Sequence, residues 1–277
     1  MSREVVIFVK SESAEALAAA RSVASAIADA GGVPALAEES GLDPSSALSI
    51  TRRASLRDKS VEKVVVVGGD GTFLRAARIL AGDPHVMLVC AGGRCFHHDV
   101  SAREAARFAV DFVRGRYALQ RYPIMLVEAE GTEPATFLND ALIAGDHLKV
   151  VRLSLAIGRS RPLELHGDGV IVSTAPGSTA YSLSAGGPVV STSTWSIVVT
   201  PLNAIQLSAR PIVLDIMTGI SARVLEESRC EPRLIVDGEE RSKLRRGARA
   251  LFRFSGRALS VARFKRVDVY SRLFGQR

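Results

Sequence analysis

The sequence predicts two domains of different class: an α/β domain built on a Rossmann-like parallel sheet, followed by a β-rich domain. Three observations carry this. The first ~115 residues alternate β-branched runs with helical patterns, and after Tyr117 the chain breaks into short strand-like runs between Gly, Pro and charged turns. A glycine turn holding one carboxylate joins a buried strand to a helix at Gly68–Thr72.

The elements follow in order. Val5–Val9 reads as a strand, and Ala14–Ala30 as an alanine-rich helix ending at Gly31 and Gly32. Val64–Val67 is a β-branched run suited to a strand covered on both faces, and Phe73, Leu74, Ala77, Ile79 and Leu80 then recur at largely helical spacing. Val86–Cys90 is the next strand, and a helix over Ala102–Arg114 closes at Gly115. Beyond it, Ile124–Ala129, Ala135–Ile143, Val150–Ile157, Gly169–Val172, Trp195–Val199, Arg233–Val236 and Ala250–Phe254 read as strands. The expected domains are residues 1–117 and 118–263.

Composition narrows the class. With 277 residues, 47% hydrophobic and 23% charged, the chain is long enough for two ordinary cores. No run approaches the ~18 apolar residues of a membrane span, and MSREVVIFVK begins with a strand pattern instead of a signal peptide. The expectation is therefore a cytoplasmic protein with no membrane partner. Its net charge of +7 is scattered, without an aromatic stacking platform, which argues against nucleic acid and fits polyphosphorylated small molecules. Thirty of the 36 cationic residues are Arg, a bias that fits a GC-rich genome or a thermophile, and Asn139 is one of only two asparagines. Three cysteines, Cys90, Cys95 and Cys230, form an odd set without zinc-ligand spacing, so reduced thiols are expected.

The chemistry concentrates in the strand–GGDGT–helix junction. Gly68, Gly69 and Gly71 leave no Cβ between backbone and ligand, and the first N–H groups of the helix can meet phosphate oxygens. Beside anionic phosphate, Asp70 is useful as a base or a metal ligand, while the plainer reading makes it a helix N-cap. Cys95, His97, His98 and Asp99 crowd metal-ligand types into five residues, yet neighbouring histidines in a strand would point to opposite sides and no second ligand pair is recognisable. Lining of a pocket or a subunit interface is the better expectation for them. Arg241, Lys243, Arg245 and Arg246 read as a solvated turn.

The GGDGT turn resembles the superfamily of NAD kinases, diacylglycerol and sphingosine kinases and phosphofructokinases. FLND at Phe137–Asp140, GDGVIVSTAPGSTAYSLSAGGPVV at Gly167–Val190 and TPLNAIQLSARPIVL at Thr200–Leu214 are similar, in order and spacing, to NAD kinases. The matches span about residues 61 to 214. The resemblance implies transfer of a phosphoryl group from ATP or polyphosphate to the 2′-hydroxyl of the adenosine ribose of NAD, with Mg²⁺ or another divalent cation, in a homodimer or homotetramer. It implies that Asp70 is the general base and that Gly68, Gly69, Gly71 and Thr72 hold phosphate, with Arg94 in a further matching segment. It assigns Asn139 and Asp140 to the adenosine and ribose portions, Asp168 to the nicotinamide half, and Thr179, Ala180, Tyr181 and Ser184 to the dinucleotide pocket. It also implies that residues 264–277 return to the first domain.

Several positions depart from the family pattern. Asp140 stands where Glu is usual, and CAGGRCFHH at Cys90–His98 keeps only Gly93 and Arg94 of a GxNxGRLGFL-like segment. Pro176 replaces Ser or Thr, Ile205 a His, and Asp237–Gly238–Glu239 a DGQ. A kinase of the same superfamily acting on a lipid or sugar alcohol, and a weakly active NADP(H)-binding sensor, are the alternatives; the long GSTAY-containing block argues against the first.

Overall fold

The computed structural model describes residues 3–9, 13–42, 48, 50–92, 95–146 and 149–265. The chain divides into two compact units, residues 1–121 with 259–277 and residues 122–258.

The first unit is a parallel sheet with helices. Its elements are β1 (Glu4–Val9), α1 (Ala14–Asp29), β2 (Val33–Ala37), β3 (Arg53–Ala54), β4 (Lys63–Gly68), α2 (Asp70–Ile79), β5 (His85–Cys90), β6 (Val100–Ser101) and α3 (Ala105–Val113). The sheet runs β3-β2-β1-β4-β5, so the strand order reverses at β1 and β4, the point where open α/β sheets bind ligands beyond the strand ends. Alternate residues of β1, β4 and β5, among them Val5, Ile7, Val65, Val67, Met87 and Val89, share one core with Ala16, Val23 and Ile27 of α1 and Phe108 and Phe112 of α3. Ser13 caps α1 by accepting the Ala16 N–H at 3.2 Å.

The strand β2 is additional to the elements expected from the sequence, and its segment VPALA carries a proline. The Val33 N–H donates to Arg3 O toward β1, so the Pro34 nitrogen faces the other way, and there β3 pairs only with Leu36 and Ala37. The chain end returns to this unit, since Ser260 and Val261 pair in parallel with His85 and Val86. Phe264 packs its ring against Phe108, Phe112 and Tyr117. Residues 266–277 lie outside the described set.

The second unit is a β-sandwich. The range β7 (Ala118–Ala129) enters it, and β8 (Ala135–Phe137), β9 (Asp140–Ala144), β10 (Val151–Ile157), β11 (Leu163–Gly167), β12 (Gly169–Thr174), α4 (Tyr181–Ser184), β13 (Ser196–Leu202), β14 (Ile212–Asp215), β15 (Ile220–Val224), β16 (Arg233–Val236), β17 (Glu239–Lys243) and β18 (Arg249–Arg263) complete the chain. One antiparallel sheet runs β14-β13-β12-β9-β16-β17; in the other, β11, β10, β15 and β18 follow one another and β7 pairs with β18 and β8. Both contribute to a single core that includes Met125, Leu153, Ile220 and Phe252 from one sheet and Ile143, Val172, Val199 and Val236 from the other.

Two expectations are corrected here. Ala135–Ile143 is not one strand but two, β8 and β9, split at Leu138 and Asn139. The break has a definite cause: the carboxylate of Asp237 draws three successive backbone N–H groups, from Leu138 (3.0 Å), Asn139 (2.9 Å) and Asp140 (3.2 Å), and a flat strand cannot aim three consecutive N–H groups at one acceptor. The second correction concerns the thiols. Cys90 and Cys95 form a disulfide, Cα to Cα 5.8 Å, because the chain turns back on itself directly after β5. Cys230 is free and buried.

Candidate functional site

In the first unit the candidate residues gather at the end of β4. Gly68 has a φ of +157°, and a Cβ there would stand 2.7 Å from Thr72 Cβ, so the close seat of Thr72 over the turn requires glycine at this position. Gly69 is the N-cap of α2 and, lacking a side chain, leaves the first-turn N–H groups uncapped. Asp70 is the first residue of the helix, where the positive end of the macrodipole favours an anion. Gly71 is exposed, and Thr72 closes the first turn by donating its N–H to Gly69 O at 3.0 Å.

The Asp70 carboxylate is gripped by the segment after the disulfide. Phe96 N–H donates to Oδ2 at 2.9 Å and His97 N–H to Oδ1 at 3.2 Å, while His98 Nδ1 lies 3.2 Å from Oδ1. Burial pulls the Asp70 carboxyl upward, but the His98 contact, the charge of His97 and the two N–H bonds outweigh it and hold the group below the usual carboxylate range. Asp70 is therefore ionised. The sequence expectation for these residues is the lining of a pocket or a subunit interface; residues 96 and 97 form a turn, which brings two N–H groups and one imidazole to the same carboxylate. Gly93 and Arg94 lie outside the described residues. Among those described, no group of three or more His, Cys, Asp or Glu side chains could hold a metal ion.

In the second unit three segments lock together. Asp237, in a left-handed conformation with φ of 45°, holds the N–H groups of residues 138–140 as described, and its own N–H donates to Asp140 O at 2.8 Å. Thr174 Oγ1 donates to Leu138 O at 2.5 Å and accepts the Gly177 N–H at 3.0 Å, tying Phe137–Asp140 to the turn after β12. A Cβ on Gly177 would stand 2.6 Å from Asn139 Cα and closer still to its carbonyl. Only glycine fits. Within this frame Asn139 is 8% exposed, and its Oδ1 is buried with no partner among the described residues, a state that a ligand donor would relieve.

Asp140 is 6% exposed, and its carboxyl is raised to about 7 by burial and by the nearby Asp237 charge, against the smaller pull of the Tyr181 N–H. The sign of its effect on stability follows. The fold keeps the proton that the unfolded chain releases near 3.8, so this group's contribution is full at low pH and is lost as pH rises toward about 7. Asp140→Asn should remove that slope, and urea midpoints of both proteins without substrate, from about pH 4 to about pH 7, measure it. Parallel curves would refute the buried, protonated carboxyl.

The remaining candidates line the same unit. Asp168 sits in the turn between β11 and β12 and accepts from Asn203 Nδ2 at 2.7 Å, so the other asparagine of the chain orients this carboxylate. A short 3₁₀ turn, Pro176–Thr179, precedes α4. Thr179 Oγ1 donates to Pro176 O at 3.4 Å, Ala180 N–H to Gly177 O at 2.9 Å, and both residues are half-buried. Tyr181 and Ser184 of α4 are exposed. Sequence reasoning missed His98 as a partner of Asp70, Asp237 as the organiser of residues 138–140, and Gly177 and Asn203 as their supports. The Asp237–Gly238 pair, the two-asparagine count and the glycine after Pro176 were visible, but each gains meaning only through a partner distant in the chain.

The chain is similar to known proteins in sequence and in fold. Two family models match: the ATP-NAD kinase N-terminal domain over residues 5–117 and the ATP-NAD kinase C-terminal domain over residues 138–264. The chain is 36% identical to an NAD kinase of Aeropyrum pernix, over 99% of this chain and 98% of that protein. It is also 36% identical to an NAD kinase of Aquifex aeolicus, over 69% and 72%. In fold it is similar to yeast NADH kinase complexed with NADH (TM-score 0.86, 20% identity, 99% and 87% covered) and to an Archaeoglobus fulgidus NAD kinase in complex with ATP (TM-score 0.74, 20% identity, 99% and 98% covered).

Proposed function

The chain belongs to the NAD kinase family, and from that premise we propose that it transfers the terminal phosphoryl group of ATP to the 2′-hydroxyl of the adenosine ribose of NAD, yielding NADP and ADP. The observation that carries the reading is Asp70: an ionised carboxylate, first in a helix, beside an uncapped glycine turn. In the proposed step the ribose oxygen bonds to the γ-phosphorus as the bridging bond to the β-phosphate breaks, and Asp70 accepts the hydroxyl proton. The Gly68–Thr72 turn offers N–H groups to the donor phosphates. Arg94 is proposed to assist there on the strength of its place in the family pattern.

Asn139 and Asp140 are proposed to bind the adenosine, supported by the unsatisfied Asn139 Oδ1 and by the raised Asp140 carboxyl, which in its protonated form, held up to about pH 7, can donate as well as accept. Asp168, Thr179, Ala180, Tyr181 and Ser184 are proposed to line the rest of the dinucleotide site. A divalent cation such as Mg²⁺ belongs to the proposal as a companion of the donor phosphates: the described residues offer no protein cage for it, and Mg²⁺ is commonly held by substrate phosphates, water and one or two carboxylates. Its contribution when bound is to offset phosphate charge. Self-association into a dimer or tetramer fits the sheet edge at β14, where Ile212 and Val213 are 39% and 49% exposed. No described helix is long and apolar enough to cross a membrane; a cytoplasmic location remains part of the proposal.

The deciding experiment is NADP formation measured with ATP and polyphosphate in parallel and with NAD and NADH as acceptors. Turnover of a lipid or sugar alcohol without turnover of NAD would overturn the reading. For Asn139→Ala, loss of a buried contact to a base edge should lower kcat/KM for NAD by about 1–3 kcal/mol, or roughly 5- to 150-fold, with the ATP KM little changed. Because Oδ1 has no partner among the described residues, removing it breaks no bond of its own to them. An unfolded variant without a selective kinetic defect would make Asn139 a turn residue only.

A further inference from the structure

We propose that His98 is a positioning residue for the proton acceptor, occupying one acceptor site on Asp70 Oδ1 so that the site remaining on Oδ2 receives the substrate hydroxyl. The inference rests on Asp70 as the base. An ionised carboxylate offers about four acceptor sites. Phe96 N–H takes one on Oδ2 and His97 N–H one on Oδ1, and His98 Nδ1 stands 3.2 Å from Oδ1, a contact whose geometry is short of a full hydrogen bond; with that site assigned to His98, the described residues leave one site, on Oδ2. The grip thus selects which oxygen takes the proton.

The surroundings are built to keep the imidazole in place. Its side chain is 1% exposed and meets the ring of Phe73 edge-on, centroids 6.4 Å apart and planes at 78°. Phe73 is itself fully buried and lies one turn beyond Asp70 on the same helix, so one element carries both the carboxylate and the ring that orients its partner. The next residue fixes the segment: Asp99 accepts the N–H groups of Phe264 (2.7 Å) and Lys265 (3.1 Å) and pairs with Arg263 Nη1 at 3.3 Å, while Arg263 also donates to His97 O at 2.6 Å. Four residues, 96 to 99, are held at both ends. A histidine serving only to fill the core would have no reason to direct a ring nitrogen at a carboxylate, since leucine fills comparable space without burying polar atoms.

Among titratable groups, His97 and His98 both act on Asp70 and both hold its proton affinity down. The test compares His98→Leu, which removes the donor, with His98→Asn, whose amide nitrogen falls near the place of Nδ1, and runs Asp70→Asn beside them. Each protein is assayed for kcat, for KM of NAD and ATP, for the acid limb of the kcat–pH profile and for Tm. The leucine variant should lose roughly ten- to a hundredfold in kcat while both KM values stay within about twofold. Its acid limb should move to higher pH, because a contact that lowers the Asp70 proton affinity has gone, and asparagine should restore rate and limb together. A folded leucine variant with wild-type kcat and limb overturns the inference, as does an asparagine variant impaired equally with it. Should leucine not fold, His98→Gln, which carries its amide past the place of Nδ1, replaces it in the comparison. Wild-type turnover by Asp70→Asn would instead overturn the base assignment itself, so the two failures are distinct.

Discussion

Asp70→Asn should fold, bind NAD with nearly unchanged affinity, and lose roughly 10²- to 10⁴-fold in kcat. The amide preserves shape and its one oxygen can still accept from the N–H of residue 96 or of residue 97, which now bond different oxygens, but it cannot take a proton at neutral pH. Some rearrangement is expected, since the amide nitrogen cannot accept and must turn toward solvent or substrate. Single-turnover rates separate loss of chemistry from loss of binding. An unchanged kcat would remove Asp70 from the mechanism.

Gly177→Ala tests the second unit with a single methyl group. The new Cβ would have to occupy space 2.6 Å from Asn139 Cα, and Asn139 cannot easily yield. Its N–H is committed to Asp237 at 2.9 Å and its carbonyl to Thr174 N–H at 2.9 Å, so relief requires moving a bonded strand junction. A displacement of about 1 Å at a substrate-positioning residue can cost on the order of 10²-fold. The expected result is a loss of at least that size in kcat/KM for NAD, with the KM for ATP preserved and Tm lowered. Wild-type kinetics toward NAD would show that the fit of Asn139 against Gly177 does not govern acceptor binding.

Much of this was legible along the chain because it is local. The strand at Val64–Val67, the glycine turn and the helix beginning at Asp70 are contiguous, and each follows from backbone rules acting over a few residues. The parallel sheet was legible through the alternation of elements, and FLND and the GSTAY turn through their similarity to a known pattern. What escaped the reading depends on distant partners. Nothing in Ala135–Ile143 signals a break, since the carboxylate that makes it lies 97–99 residues onward at Asp237. His98 read as one member of a cluster lining a pocket or an interface; once the disulfide and the Arg263–Asp99 contact bend the segment, its ring nitrogen meets Asp70. The thiols were misread for the same reason, as a count of three says nothing about two that a turn brings together.

The three N–H bonds gathered by Asp237 carry a consequence for anyone reading variation in this protein. A change at that position would register in a genetic screen as damage to acceptor recognition, although the side chain acts through the backbone of residues 138–140. Glutamate, one methylene longer, would keep the charge and shift all three bonds at once, so charge conservation is no guide to tolerance there. Because every residue but proline supplies such an N–H, side chains at 138–140 can change while Asp237 stays, whereas a proline at any of the three removes one of its bonds.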